Sequence, residues 1–385
     1  MDFDVVIIGA GIAGSVAALN LAPFQRVALI ERHATPLWRI GESLPGAARR
    51  LLSDMGLLES FLADAHLPRH ALHGAWGGSS PVVRDALADP DGHGWQIDRV
   101  KFERRLRSEA VRRGATLMTP ATVVALERAE SGWRVKCEQH GHKSSINGRL
   151  IIHAAGRGSR YLAPHGVSRR IHDKLSCTWI RSQGVALPAG IVQIEAEVEG
   201  WWYAAPIPDA AILAFHTDAN LPAARAGRTM SGLLDRARRL PMLGRVLTDP
   251  RWVSGTFGYC AAHGAWLGSA VGEAWLAAGD AAIAFDPIAA QGLFNALYLG
   301  LAAAESAHRH LMGDGAALSQ YDGEISAIRE AYIARRAAWY GLETRWAGQP
   351  FWARRLDPAA VLSRAFAQKQ DSLHASPASP ARQFV

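Results

Sequence analysis

The chain opens on a run of four apolar residues, Val5-Val6-Ile7-Ile8, the pattern of a short buried strand. Gly9-Ala10-Gly11-Ile12-Ala13-Gly14 follows directly, and apolar spacing then predicts a helix from Ile12 to Leu21. A second apolar run, Val27-Ala28-Leu29-Ile30, ends at Glu31. Further on, a helix is predicted from Asp98, as its N-cap, to Arg113, with Gly114 as the stop. Phe102, Leu106 and Ala110 make its apolar face. Thr122–Leu126, Trp133–Cys137 and Leu150–Ala154 read as short strands, and residues 175–257 as a second strand-rich block. Residues 289–312 read as a helix carrying Leu293, Ala296, Leu297, Leu301 and Ala304, and residues 318–366 as helical. The stretch with Pro68, Gly74, Gly77, Gly78, Pro81 and Pro90 reads as irregular. The tail from Ser372, rich in Ser, Pro and Ala, reads as disordered.

This alternation predicts an α/β fold in which a nucleotide half comes in pieces, residues 1–66, 96–172 and 263–312. A sheet-rich substrate domain, residues 67–95 and 173–262, is inserted between them. C-terminal helices over 313–371 and a tail over 372–385 complete the chain. Its 385 residues are too many for one ordinary core. The most apolar long stretch, 281–304, contains Asp286, Pro287, Gln291 and Asn295, which a bilayer core would penalise. No signal-peptide pattern is read at the N-terminus. Cys137, Cys177 and Cys260 are far apart and lack metal-ligand spacing, which predicts reduced thiols, a cytoplasmic protein and no metal. The formal charge is +7, but five lysines contribute among 42 spread basic residues and no long basic run occurs. That argues for a solvated basic surface rather than nucleic-acid binding.

Each position of the glycine turn has a physical job. Gly9 permits the tight turn, Gly11 lets a pyrophosphate approach the backbone, and Gly14 lets helix pack on strand. The helix N-terminus offers unpaired N–H groups to the phosphate. Glu31, placed at the end of the second strand, can accept hydrogen bonds from ribose hydroxyls.

Four further segments carry a resemblance: Gly41-Glu42-Ser43-Leu44-Pro45, Ile97-Asp98-Arg99, Ile151-Ile152-His153-Ala154-Ala155-Gly156, and Gly279-Asp280-Ala281-Ala282 with Asp286-Pro287 and Gln291-Gly292. With them the chain resembles the FAD-dependent aromatic hydroxylases of the p-hydroxybenzoate hydroxylase fold, and in particular their tryptophan-halogenase-like branch. The resemblance implies a Rossmann-like FAD-binding domain, an inserted mixed or antiparallel β-sheet substrate domain and C-terminal helices. It implies non-covalent FAD, held by Gly9, Gly11, Ala13, Gly14, Glu31, Arg32, Glu42, Ser43, Arg99, Val123, Gly156, Gly279, Asp280, Pro287, Gln291 and Gly292. In that scheme Arg99 reaches the phosphates and Asp280 a ribityl hydroxyl, and the helix starting near Gln291 faces the flavin.

The family chemistry is oxygen transfer through a flavin C4a-hydroperoxide, or halogenation where a lysine manages hypohalous acid. Between Glu42 and Arg99 there is no lysine, and Lys101 lies among solvated charges of the helix. The halogenase W-x-W-x-I-P pattern is replaced by Trp201-Trp202-Tyr203-Ala204-Ala205-Pro206. Both departures point to hydroxylation of an electron-rich ring such as an indole or tryptophan; the alternatives are a halogenase or a flavin dehydrogenase or reductase. Ala155 stands where the hydroxylases carry an aspartate, which argues against direct use of NAD(P)H; the reductant is NAD(P)H or reduced flavin supplied by a reductase.

Gly200-Trp201-Trp202-Tyr203 and the segment Tyr340…Trp352 are similar to flavoproteins that modify tryptophan in a partner polypeptide during cysteine tryptophylquinone maturation. Trp76, Trp201 and Tyr203 are the expected substrate contacts, and His73 the candidate catalytic group. Trp339, Trp346, Trp352, Arg335, Arg336, Arg354 and Arg355 read either as a docking surface or as ordinary helix packing.

Overall fold

The computed structural model describes residues 2–356. The buried run Asp2–Ile8 forms the middle of an eight-stranded sheet. It pairs in parallel with Val27–Ile30 on one side and with His142–His153 on the other, so that Ile7 lies between Leu29 and Ile152. Thr116–Met118 and Trp275–Ala277 extend the parallel set outward. Strands buried on both faces need cover on both, which explains why these runs are continuously apolar rather than alternating. Strands Thr122–Ala129 and Gly132–Gln139 add an antiparallel hairpin against the long His142–His153 strand, whose outer end is exposed and polar.

Helix Ile12–Leu21 is buried nearly all round, since it lies between this sheet and helices Arg99–Arg112 and Gly292–Leu311. The last contact is backbone-close: a Cβ on Gly300 would stand 2.6 Å from the Ala13 carbonyl oxygen. Asp98 caps its helix by accepting from the Lys101 N–H at 3.0 Å. The other side chains on that helix divide: Lys101 and Arg105 pair with Asp64, while Glu103 and Arg107 are buried.

A mixed seven-stranded sheet stands beside the first. Its order is Thr256–Ala261, Leu175–Ser182, Ala210–Asp218, Gly200–Ile207, Ile191–Glu197, Ala71–Ala75 and Val82–Asp85. The region that reads as irregular in the sequence thus supplies two of its strands. Ala71–Ala75 pairs in parallel with 191–197, and Val82–Asp85, exposed throughout, closes the edge. A further small sheet joins Ser43–Leu44, Gly94–Gln96 and Leu67–Arg69. Strand alternation separates the two neighbouring tryptophans. Trp202 stacks on Phe215 at 4.5 Å in a core with Leu233, Leu234 and Trp252; Trp201 faces the opposite way.

The C-terminal segment departs from a continuous helix. Ala317–Gly341 is helical, residues 342–349 turn, and a short helix, Pro350–Ala353, follows. It ties the two sheets together. The Tyr321 hydroxyl donates to the Ala277 carbonyl, and Trp352 donates from Nε1 to the Glu197 carbonyl. Trp352, Arg336 and Arg355 are buried, so for these residues the docking-surface reading is replaced by internal packing, Arg355 being clamped on Asp218 and Arg336 on Asp286. The tail from Ser372 lies outside the described residues.

Candidate functional site

The loops that leave strands 2–8, 142–153 and 275–277 at their carboxyl ends open on one cleft of about 460 Å³. Its near wall is Gly11, Ile12, Ala13, Ala154, Gly156 and Asp280; its far wall is Leu72, Val192, Ile194, Trp201 and Tyr203 of the seven-stranded sheet.

Three glycines of the turn play distinct parts. Gly9 sits at φ +102°, and a Cβ there would press to 2.6 Å of the Ala154 carbonyl oxygen. A Cβ on Gly14 would fall 1.8 Å from the Gly9 oxygen. Gly11 differs: its extended backbone suits any residue, and a Cβ would meet nothing nearer than Arg39 Nη2 at 3.8 Å. Gly156 and Gly292 likewise face open space. Glu31 organises the turn, accepting from the Ala10 N–H at 2.9 Å and the His33 N–H at 3.0 Å. Arg107, not singled out in the sequence, is buried and donates from Nε to the Ala10 carbonyl at 2.7 Å.

Arg99 lies on the cleft wall, donating to the Ile40 carbonyl at 3.0 Å and to Glu103 at 3.0 Å; its buried Nε has no partner among the described residues. Glu42 is 2% exposed. One carboxylate oxygen accepts from the Gly41 N–H at 3.0 Å, while Oε1 has no partner among the described residues. Burial pushes its carboxyl up to about 7, against the pull of the Gly41 N–H and the Arg99 guanidinium. Ser43 Oγ accepts from the Gln96 amide nitrogen at 3.0 Å, and the oxygen of that amide accepts from the Tyr203 hydroxyl at 3.3 Å.

Opposite, Gly279 takes φ +58° and Asp280 stands 3.7 Å from Arg157. Asp286, fully buried, caps the turn that holds Pro287 and Ile288. Gln291 is the N-cap of helix 292–311, so the free N–H groups of that helix border the cleft. A hydrogen-bonded chain links the two walls: Trp201 Nε1 donates to the Tyr340 hydroxyl at 3.1 Å, and that hydroxyl donates to Asp286 at 2.8 Å. His216 stacks flat on Trp201 at 3.7 Å, and burial lowers its imidazole to about 3, which keeps it neutral.

The cleft therefore brings together Gly11, Ala13, Glu42, Ser43, Arg99, Gly156, Asp280, Pro287, Gln291, Gly292, Trp201 and Tyr203. Gly9, Gly14, Glu31 and Gly279 shape the turns beside the cleft without lining it, and four further expected residues lie elsewhere. Val123 is buried in its strand opposite Cys137. Arg32 borders a separate hollow of about 290 Å³ with Thr122 and Glu138. Trp76 stands behind Trp201, its Nε1 donating to the Trp339 carbonyl at 2.9 Å. In strand 71–75 Leu72 reaches the cleft and His73 does not. Sequence reading missed Arg39, Arg69 and Arg157, which give the cleft a positive rim, and the facing pair Cys177 and Cys260.

These residues fit FAD. Gly11, Gly156 and Gly292 leave room beside two helix N-termini, and the rim arginines suit a pyrophosphate. Glu42 Oε1 and Arg99 Nε remain a buried acceptor and a buried donor at the same wall. The FAD binding domain family model matches residues 2–225. LodB of Marinomonas mediterranea, described as an FAD-dependent oxidoreductase, is 27% identical over 370 residues, covering 92% of this chain and 97% of its own. Among solved structures, the myxobacterial chondrochloren halogenase CndH superposes with a TM-score of 0.84 at 21% identity, over 96% of this chain and 90% of the other. The peptidyl tryptophan dihydroxylase QhpG does so with a TM-score of 0.76 at 22% identity, over 92% and 79%. With a family match over more than half its length and a cleft shaped for the cofactor, the chain belongs to the FAD-binding-domain flavoproteins and is an FAD-dependent oxidoreductase.

Proposed function

We propose that the chain is a monooxygenase that hydroxylates an electron-rich aromatic ring, an indole or tryptophan. The observation that carries this reading is the single cleft, walled on one side by the FAD-binding turns and on the other by an apolar, aromatic sheet face. The basic residues that line it are Arg39, Arg69, Arg99 and Arg157, with no lysine among the described lining residues. A halogenase reading has the CndH likeness behind it, but at 21% identity that likeness carries the fold alone.

Bound FAD, once reduced, supplies electrons and the activation of dioxygen. The chain's residues do the rest. Gly11 and the N-terminus of helix 12–21 would hold the pyrophosphate, and the N-terminus of helix 292–311 would favour negative charge on the flavin side. Val192, Ile194, Trp201 and Tyr203 exclude water and present an aromatic wall on which a ring can pack. Electrophilic oxygen transfer leaves a proton to be removed from the ring. Our candidate to take it is Glu42 Oε1, which has no partner among the described residues and belongs to a carboxyl that burial raises to about 7. The Gly200-Trp201-Trp202-Tyr203 segment, similar to flavoproteins that modify tryptophan in a partner polypeptide, is what favours a ring borne on a polypeptide; QhpG at 22% identity adds the fold alone, and LodB, similar over nearly its full length, supports the same scaffold.

The test is incubation with reduced flavin, dioxygen and excess bromide against free indoles and tryptophan-bearing peptides. Products heavier by oxygen alone support the proposal. Bromine isotope pairs overturn it.

A further inference from the structure

Cys177 and Cys260 sit far apart in sequence but directly opposite each other on neighbouring antiparallel strands, 175–182 and 256–261. Both line the cleft. Directly opposed residues on such strands hold their Cβ atoms about 4.5–5.5 Å apart, and a disulfide needs about 3.5–4.5 Å. Closure therefore asks for a shift on the order of 1 Å. Strand 256–261 is the sheet edge, paired on one side, and can make that shift more cheaply than a central strand.

The two thiols are unequal. Cys177 is buried, and burial raises its thiol well above the usual range. Cys260 is half-exposed; the hydrogen bond donated by the Cys177 thiol, and then the Arg157 guanidinium, favour its thiolate and outweigh burial and the Glu42 charge. The third cysteine, Cys137, lies in the hairpin away from the cleft, its thiol pushed up to about 11 by burial.

We propose that Cys177 and Cys260 form a second two-electron redox site in the cleft, a dithiol that hydrogen peroxide closes to a disulfide. A cleft that activates dioxygen is a place where peroxide escapes. Cys260 sulfur attacks one peroxide oxygen, the O–O bond breaks, and hydroxide leaves and takes up a proton as water. Cys177 sulfur then attacks the Cys260 sulfenic sulfur; the S–O bond breaks, the S–S bond forms, and the second water departs with the Cys177 proton. Two thiols lose two electrons and one peroxide gains them. An external dithiol that attacks the half-buried Cys260 sulfur restores the pair.

The test uses the full-length, FAD-loaded protein, pre-reduced, desalted and treated with stoichiometric hydrogen peroxide. It is then denatured, labelled with N-ethylmaleimide and weighed intact. The count of labelled thiols should fall from three to one. Peptide mapping should show Cys177 linked to Cys260 and the label on Cys137, and dithiothreitol should restore three labels. In C177S, Cys260 should stop at a sulfenic acid that dimedone traps at least tenfold faster than Cys137. Three labels surviving excess peroxide, a linkage that involves Cys137 or a second chain, or sulfinic Cys260 beside free Cys177 would overturn the proposal. The wild-type map decides the matter even if a variant misfolds, and none of these readouts depends on the aromatic substrate.

Discussion

Gly11 and Gly14 lie three residues apart in one turn and respond to the same added methyl in opposite ways. In Gly11→Ala the new Cβ enters open space, 3.8 Å from the end of a flexible arginine, on extended backbone that alanine adopts freely. The fold loses under about 1 kcal/mol, the difference between glycine and alanine at a helix N-cap. The methyl occupies the place where a pyrophosphate meets the backbone N–H groups. Losing one such charge-assisted hydrogen bond costs about 1.5–3 kcal/mol, or roughly a 10- to 150-fold weaker Kd for FAD. In Gly14→Ala the Cβ lands 1.8 Å from the Gly9 oxygen and 3.2 Å from the Ala154 methyl, both in packed structure. Helix propensity returns about 1 kcal/mol, but strand and helix must part by more than an ångström, an overpacking cost of about 1–3 kcal/mol or more. Urea unfolding of the FAD-free proteins, beside flavin fluorescence titrations, separates the two. Gly11→Ala should unfold like wild type and bind FAD poorly; Gly14→Ala should unfold early. FAD affinity within twofold of wild type in Gly11→Ala, or a wild-type midpoint in Gly14→Ala, would refute the reading of the turn.

Glu42 gives a pH signature. Its folded carboxyl titrates at about 7 against an ordinary 4.5, so stability is full below 4.5 and falls as pH rises through 7, by on the order of 3 kcal/mol. Glu42→Gln should flatten this slope in FAD-free protein, and a urea-midpoint difference that stays constant from pH 5 to 8 would count against it. Arg336 donates to buried Asp286 at 3.2 Å and half-buried Asp173 at 2.8 Å, so Arg336→Met should cost about 3–5 kcal/mol by removing the counter-charge of the buried Asp286 carboxylate. The same change at exposed Arg104 should stay within about 0.5 kcal/mol in the same unfolding assay. With Ala155 in place of an aspartate, NADPH alone should bleach bound flavin slowly in anaerobic stopped-flow, and rapid bleaching would contradict a separate electron supply.

What the sequence showed plainly is what local physics dictates. The apolar run, glycine turn and acidic strand end over residues 5–31 specify strand, helix and strand with little help from the rest of the chain. Asp98 and Gly114 likewise bracket a helix that ends within a residue or two of its predicted stop. Long-range pairing was not legible. Strand 71–75 takes its place from a partner about 120 residues later, and its neighbour 82–85 buries nothing, so neither leaves an alternating pattern. The burial of Glu103 and Arg107 leaves no local pattern, because partners of theirs, Arg39 and the Ala10 carbonyl, come from separate segments. Trp201 and Tyr203 line the cleft as expected, two residues apart on one face of their strand, while Trp202 turns into the core with Leu233, Leu234 and Trp252. Cys177 and Cys260 became a pair only through the register of two strands.

The central claim is that the cleft transfers oxygen to an aromatic ring, and ¹⁸O₂ tests it most directly. The FAD-loaded protein is given reduced flavin, an indole or tryptophan-bearing peptide, and labelled dioxygen in unlabelled water, and the product is weighed. The account predicts product carrying ¹⁸O on the indole ring. Product oxidised without label, its new oxygen drawn from water or absent, would contradict it and move the chemistry to dehydrogenation.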